Sequence, residues 1–142
     1  MTTEVKTMVN EYMAAWNAHD INKILSFFAE GCVFEDLALG VVSNGKKELA
    51  AFLPSRFVDI PNVRFDLKSV FGSGAWLGME WVMSGTFAHS SIPGMPATRK
   101  TFSVRGAKIA QLRNGKITRE TDYYNLATLL QQVGLMPAHP KQ

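Results

Sequence analysis

The sequence is poor in cysteine, histidine and charge. Its single cysteine, Cys32, excludes an internal disulfide, and its apolar neighbours make it a small buried hydrophobe rather than a nucleophile. The three histidines, at 19, 89 and 139, are scattered and have no cysteine pair beside them, so no metal site is expected. No glycine-rich loop opens a helix in the manner of a phosphate cradle, which removes nucleotides and leaves a cofactor-independent reading. Only 19% of residues are charged; the net charge of +3 is spread over Lys46-Lys47, Arg99-Lys100, Arg113 and Lys116. That dispersal lacks the clustered footprint of nucleic-acid binding, so no nucleic-acid partner is expected. No apolar run approaches membrane-spanning length, and Met1-Thr-Thr-Glu-Val-Lys6 lacks a basic region followed by an apolar stretch. A soluble cytoplasmic chain with no membrane partner is the expectation.

What the sequence does have is apolar bulk: 46% hydrophobic residues, with nine Phe and three Trp. That composition is globular, and 142 residues suit one domain over 1–142 with a loose tail from about 137. A chain of this size buries roughly 70% of its extended surface, so a sizeable core is available.

Taken in order, residues from about Thr3 to Ala18 place Val5, Met8, Val9, Tyr12, Met13 and Trp16 on one helical face. His19-Asp20 ends that helix, and Asp20 is placed to cap a short second one carrying Ile21, Ile24, Leu25 and Phe28. Cys32 to Asp36 reads as a strand, Gly40 to Gly45 as a loop, and Leu49, Phe52, Leu53 and Phe57 as one side of a third helix. Strands then follow: Val63, Phe65, Leu67 and Phe71 in alternation, Gly72-Ser-Gly74 as a turn, and Ala75 to Phe87. The Pro- and Gly-rich Ser90 to Thr98 is a long connection, and a last helical turn stops at Gly134.

The most informative stretch is Arg113 to Asn125. Asn114-Gly115 suits a two-residue type I′ hairpin, because both central residues need positive φ. An uninterrupted ladder from that turn sets Ile109 opposite Glu120, Ala107 opposite Asp122 and Arg105 opposite Tyr124. Those six residues would share one face, leaving Gly106, Ala110, Leu112, Ile117 and Tyr123 on the other. Neither face is cleanly apolar, which points to a polar-lined cavity.

Tyr12 to Asp20, Phe28 to Asp36, Gly94 to Thr98, Gly115 to Tyr124 and Gln132-Val-Gly-Leu135 together resemble the nuclear transport factor 2-like superfamily. Within it, the closing segments are similar to the SnoaL-like polyketide cyclases and the ketosteroid isomerases. The resemblance implies an α+β cone, in which a curved antiparallel sheet wraps an apolar pocket closed by the N-terminal helices, and a homodimer formed through the sheet's outer face. It also implies that Asp122 is the acid/base of an aldol closure, as in the cyclases. Asp36 and Tyr12 match the base and the oxyanion phenol of the isomerases. The isomerases' second oxyanion carboxyl falls at Ala107 here, and the hairpin register offers Asp122 from the neighbouring strand in its place.

The catalytic candidates are therefore Asp122, Asp36 and Tyr12, each with a plainer alternative. Asp122 could be an ion-pair partner of Arg105, diagonal to it on the same face; Asp36 could bond a turn backbone; Tyr12 could be a core phenol. Trp16, Phe52, Phe57, Trp76, Trp81 and Tyr124 are candidate walls of the substrate pocket. Arg105 and His89, the latter beside a flexible connection, are candidate polar contacts. The expected function is proton transfer next to a carbonyl in a small apolar ligand, as an isomerase or cyclase. The alternative is a non-catalytic ligand-binding or dimerisation module of the same shape.

Overall fold

Local signals fix where the elements begin and end. The structure is a computed structural model describing residues 1–138, so the expected tail from about 137 and His139 lie largely outside the described residues. Helix α1 (Thr3–Asn17) opens where the Thr2 hydroxyl accepts the Val5 amide, and it ends before His19, whose φ of 55° redirects the chain. Val9, Tyr12, Met13 and Trp16 form its buried stripe. Asp20 caps α2 (Ile21–Leu25) by accepting the Lys23 amide.

Two departures from expectation follow. Strand β1 (Phe28–Asp36) starts before Cys32, so Phe28 belongs to the sheet rather than to the helix. The segment expected as a Gly40 to Gly45 loop contains strand β2 (Val41–Asn44), which pairs antiparallel with β1 after Gly40 turns at φ 69°. Helix α3 (Gly45–Asp59) then buries Leu49 and Leu53. Strands β3 (Arg64–Ser73), β4 (Trp76–Thr86), β5 (Thr101–Arg113) and β6 (Lys116–Tyr124) make a meander that ends in α4 (Leu126–Gln132).

The six-stranded sheet runs β2-β1-β6-β5-β4-β3. Its neighbours are antiparallel except β1 and β6, which run parallel and set Asp36 beside Asp122. Helices α1, α3 and α4 pack against β3, β1 and β5 respectively, covering the inner face. This is the α+β arrangement expected, with one parallel pairing inside the largely antiparallel sheet. No described helix is long and apolar enough to cross a membrane.

Two bulges decide which side chains face inward. Between Leu67 and Ser69 the β3 register shifts against β4, so Phe71 leaves the expected alternation and lies half exposed on the outer face over Gly78. The second bulge corrects the hairpin. Asn114 and Gly115 take the positive φ values expected, 52° and 73°, and Arg113 pairs with Lys116 and Leu112 with Ile117. Gln111 then pairs with Arg119, leaving Thr118 as the extra residue. Every later pair moves by one: Lys108 faces Asp122, Ala107 faces Tyr123, and Gly106 faces Tyr124. A one-residue slip exchanges the faces of β5. Gly106, Lys108 and Ala110 therefore join Glu120, Asp122 and Tyr124 inside, while Arg105, Ala107 and Ile109 turn outward.

Candidate active site

The inner face of the sheet and the helices enclose a cavity of about 70 Å³. Its walls are aromatic, with Trp16, Phe34, Phe52, Phe57, Phe65 and Trp81 among them, and Ile92 and Met95 of the 87–100 connection close one side. Asp36, Arg56, Asp122 and Tyr124 bring polar groups to this wall. An apolar cavity of about 150 Å³ holds a benzene ring.

The charged centre is a chain of four buried side chains. The Lys108 ammonium, fully buried, donates to both oxygens of Asp122 at 3.1 and 2.9 Å and to Oε2 of Glu120 at 3.2 Å. The Tyr12 hydroxyl donates to Oε1 of Glu120 at 2.7 Å. The ammonium also lies 4.4 Å from the centre of the Trp16 ring, with the rings of Tyr12, Phe34, Phe65 and Trp81 within 6.0 Å. Such cation–π contacts contribute roughly 2 kcal/mol when desolvated, which partly offsets burying the charge.

One cation beside two carboxylates leaves a negative charge uncompensated, and the proton affinities follow from that. Burial pushes the Asp122 carboxyl well above the usual range; Glu120 adds to the rise, and Lys108 opposes it without cancelling it. Burial pulls the Lys108 ammonium down, but Asp122 and Glu120 outweigh it and hold the amine above its ordinary value. Burial, then the charges of Glu120 and Asp122, raise the Tyr12 phenol, so it stays protonated and donates.

Asp36, directly across the parallel pairing, has a different setting. Its Oδ1 accepts the Leu39 amide at 3.0 Å and its Oδ2 accepts the Tyr124 hydroxyl at 3.0 Å. Burial raises this carboxyl, while those two bonds and the more distant Arg56 and Lys108 restrain the rise. Tyr124 is raised in turn by burial and by Asp36.

The sequence-derived candidates separate cleanly. Asp122, Asp36, Trp16, Phe52, Phe57, Trp81 and Tyr124 meet at the cavity. Tyr12 is fully buried behind that wall, bonded to Glu120. Three pocket expectations fail. Trp76 precedes the inward run of β4 and is 54% exposed on the outer face. Arg105 is exposed because of the Thr118 bulge, so neither it nor a carboxyl opposite Ala107 takes part; the buried partner of Asp122 is Lys108. His89 is exposed and bonds Oδ1 of the buried Asp59. Ser91 also bonds Asp59, through its hydroxyl at 2.7 Å and its amide at 3.0 Å. Although Ser, His and Asp are all present there, both Ser91 and His89 bind the carboxylate, so no serine-to-histidine proton path exists. The cluster ties the 87–100 connection to the end of α3.

Lys108, Glu120 and Arg56 were not foreseen. Lys108 had a visible signal: Phe102, Val104 and Ala110 are inward at a period of two, and Lys108 falls on that same phase. Among the described residues no group of three or more His, Cys, Asp or Glu side chains is spaced to hold a metal ion.

A sequence profile described as SnoaL-like polyketide cyclase matches residues 6–133. A relative, the cyclase aurE of Calcarisporium arbuscula, is 25% identical over 122 residues, covering 84% of this chain and 86% of that protein. A hypothetical protein of ketosteroid isomerase-like fold from Catenulispora acidiphila, crystallised with trimethylamine, superposes with a TM-score of 0.78. It is 27% identical, with 96% of each chain covered. TsrD from Streptomyces laurentii shares the fold, with a TM-score of 0.82 at 20% identity over 96% of this chain and 99% of its own.

Proposed function

Because the chain belongs to the SnoaL-like polyketide cyclase family, whose known structures support a small-molecule-binding protein, we propose that it moves a proton next to a carbonyl in a compact, mostly apolar ligand. Asp122 is the acid/base, and the product is an isomer or a ring closed by aldol addition. The observation that carries this reading is a buried carboxyl on the wall of an aromatic cavity, its proton affinity raised chiefly by burial.

In the proposed step the Asp122 carboxylate takes a proton from the carbon beside the carbonyl, leaving an enolate. It then returns that proton to a different carbon, or the enolate attacks a second carbonyl and the acid protonates the new alkoxide. No electrons leave the ligand, so no redox partner is needed. Lys108 is a positioning residue that holds both carboxylate oxygens. Asp36 and Tyr124 stand beside it, and Tyr12 acts through Glu120.

The test is deuterium incorporation from D₂O into a panel of cyclic and β-dicarbonyl ketones, with wild type, Asp122→Asn and Asp36→Asn. General acid–base groups contribute roughly 10²- to 10⁴-fold, so Asp122→Asn is expected to lose exchange on that scale. Loss in Asp36→Asn alone would move the base to Asp36, whose donors are neutral and leave no ammonium to displace.

A second reading, ligand binding without turnover, is favoured by the ammonium that occupies both Asp122 oxygens and by the small cavity. Saturable ketone binding with no exchange would establish it. The homodimer implied by the fold would use the outer sheet face, where Phe71, Trp76 and Tyr123 are exposed. Sedimentation of wild type against Trp76→Glu tests this; a wild-type monomer would end it.

A further inference from the structure

Among the described residues the cavity wall carries one basic side chain, Arg56. It belongs to the last turn of α3, and its guanidinium carbon stands 5.6 Å from the centre of the Phe52 ring, one turn earlier on the same wall. Nη2 donates to Oδ2 of Asp59 at 2.8 Å, and Nε donates to Oγ of Ser55 at 3.4 Å. Burial raises the proton affinities of Asp36 and Tyr124, and the positive charge of Arg56 works against both rises. The guanidinium therefore stands toward the Asp36 and Tyr124 end of the cavity.

This guanidinium has donors to spare. An arginine offers five N–H groups in a planar fork and accepts nothing. Among the described residues no acceptor meets Nη1, which carries two of them. The side chain keeps 17% of its surface exposed, and Nη1 is not among the buried polar atoms that lack a partner, so an incoming oxygen can reach it.

The plainer role for Arg56 is to neutralise Asp59, but Asp59 is already served. Its Oδ1 bonds His89 at 3.1 Å and the Ser91 hydroxyl at 2.7 Å, and its Oδ2 accepts the Ser91 amide at 3.0 Å. Burial acts to raise this carboxyl, yet the two Ser91 bonds and then His89 hold it below its ordinary range, with Arg56 behind them. Asp59 thus keeps three partners without the arginine. The pairing does more for Arg56 itself: one N–H held on a fixed carboxylate restrains a long side chain, which lessens the entropy lost when a ligand binds it.

We propose that Arg56 anchors the ligand through an anionic oxygen, so that the substrate class is an apolar keto acid whose carboxylate sits on Nη1 while its ketone reaches Asp122. The proposal rests on the proton-transfer reading for the ketone and adds the group that orients it. A guanidinium–carboxylate bond is charge-assisted, and aromatic walls that exclude water strengthen it. The carboxyls around the anchor oppose it little: burial favours the neutral form of Asp36, and Asp59 is shared among its other donors. The site therefore selects acids over neutral compounds of the same shape.

The experiment measures binding of 3-oxocyclopentane-1-carboxylate and 3-oxoindane-1-carboxylate to the full chain by calorimetry, each against its methyl ester. Wild type is expected to bind at least one acid roughly tenfold or more tightly than its ester, the least that a hydrogen bond to a charged group contributes. Arg56→Gln should abolish that preference and leave the affinity for the esters in place. Acids that bind no more tightly than their esters, or not at all, overturn the proposal, as does a preference that survives in Arg56→Gln. A second measurement needs no glutamine variant: in wild type with ¹⁵N-labelled arginine, the Arg56 Nε signal, assigned by its loss in Arg56→Lys, should move with the acids and stay with the esters. A signal unmoved by a bound acid also overturns the anchor.

Deuterium exchange on the same four compounds separates this proposal from the reading beneath it. A preference for the acids without exchange leaves the anchor standing and removes the chemistry. Asp122-dependent exchange that favours neither acid nor ester does the reverse. Where exchange is measurable, Arg56→Gln is expected to raise the half-saturating concentration of the acids roughly tenfold and to leave that of the esters unchanged. An equal rise for acids and esters would mark Arg56 as a support of the wall and overturn its role as anchor.

Discussion

Asp36 and Asp122 are paired across the β1 and β6 junction, line the same cavity and are almost equally buried, at 7% and 6% exposure. Their neighbours are nevertheless of different kinds. Asp36 is held by a backbone amide and a phenol, whereas Asp122 is held by an ammonium that it shares with Glu120. The acid with the lysine is the one whose proton affinity rises further. A single cation divided between two carboxylates fails to offset the burial of both, while two neutral bonds moderate the rise at Asp36 without erasing it. A salt bridge at a buried acid is therefore no guarantee that the acid is ionised.

Removing the cation breaks the contrast most severely. Lys108→Met strands Glu120 and Asp122 in the core, and urea unfolding at neutral pH should show a loss of about 3–5 kcal/mol. The triple variant Lys108→Met, Glu120→Gln, Asp122→Asn should recover most of that loss. A single variant as stable as the triple would show that Lys108 is not balancing the carboxylates.

The pH dependence sharpens the contrast next. A carboxyl raised in the native state holds a proton that the unfolded chain has already released. The stability it confers is fully present below about pH 4 and is lost as pH rises through the raised native value. Wild-type stability relative to Asp122→Asn should therefore fall as pH rises above about 4 and level off once Asp122 ionises. The same difference for Asp36→Asn should level off at a lower pH, since Asp36 is raised less. Coincident curves would erase the distinction. Glu120→Gln removes a charge that raises Asp122, so it should bring the Asp122 titration down and leave that of Asp36 in place. Titrations followed by carboxyl ¹³C shifts would read this directly.

The smallest expected effect is at Tyr124→Phe. It removes one bond to Asp36 at a cost of about 1 kcal/mol. It should raise the Asp36 proton affinity, because that bond favours the ionised form.

What could be read from the sequence was whatever is encoded locally. The Asp20 cap, the Asn114-Gly115 turn and the α1 stripe depend on neighbours within a few positions, and all stand as expected. The aromatic wall was legible too, through helical spacing for Trp16, Phe52 and Phe57. The Thr118 bulge was not, since no glycine or proline marks it, and a single extra residue was enough to hide Lys108 and to put Arg105 in its place. Trp76 and His89 were misplaced for a related reason: apolar or reactive character says nothing of which side of a sheet or connection a residue occupies.

The parallel junction between β1 and β6 also sets an order of events. Residues around Asp36 must find partners around Asp122 after the whole intervening helix and meander, whereas β3–β4 and β5–β6 join through two-residue turns and β4–β5 through the 87–100 connection, each a far shorter loop. Closing so long a loop before any contact rewards it is entropically unfavourable, so assembly of the meander should precede docking of the β1–β2 hairpin. The two acids then come together only as folding completes, and the cavity's chemistry is assembled last. Pulse-labelled amide exchange should find β4 and β5 protected while β1 is still open.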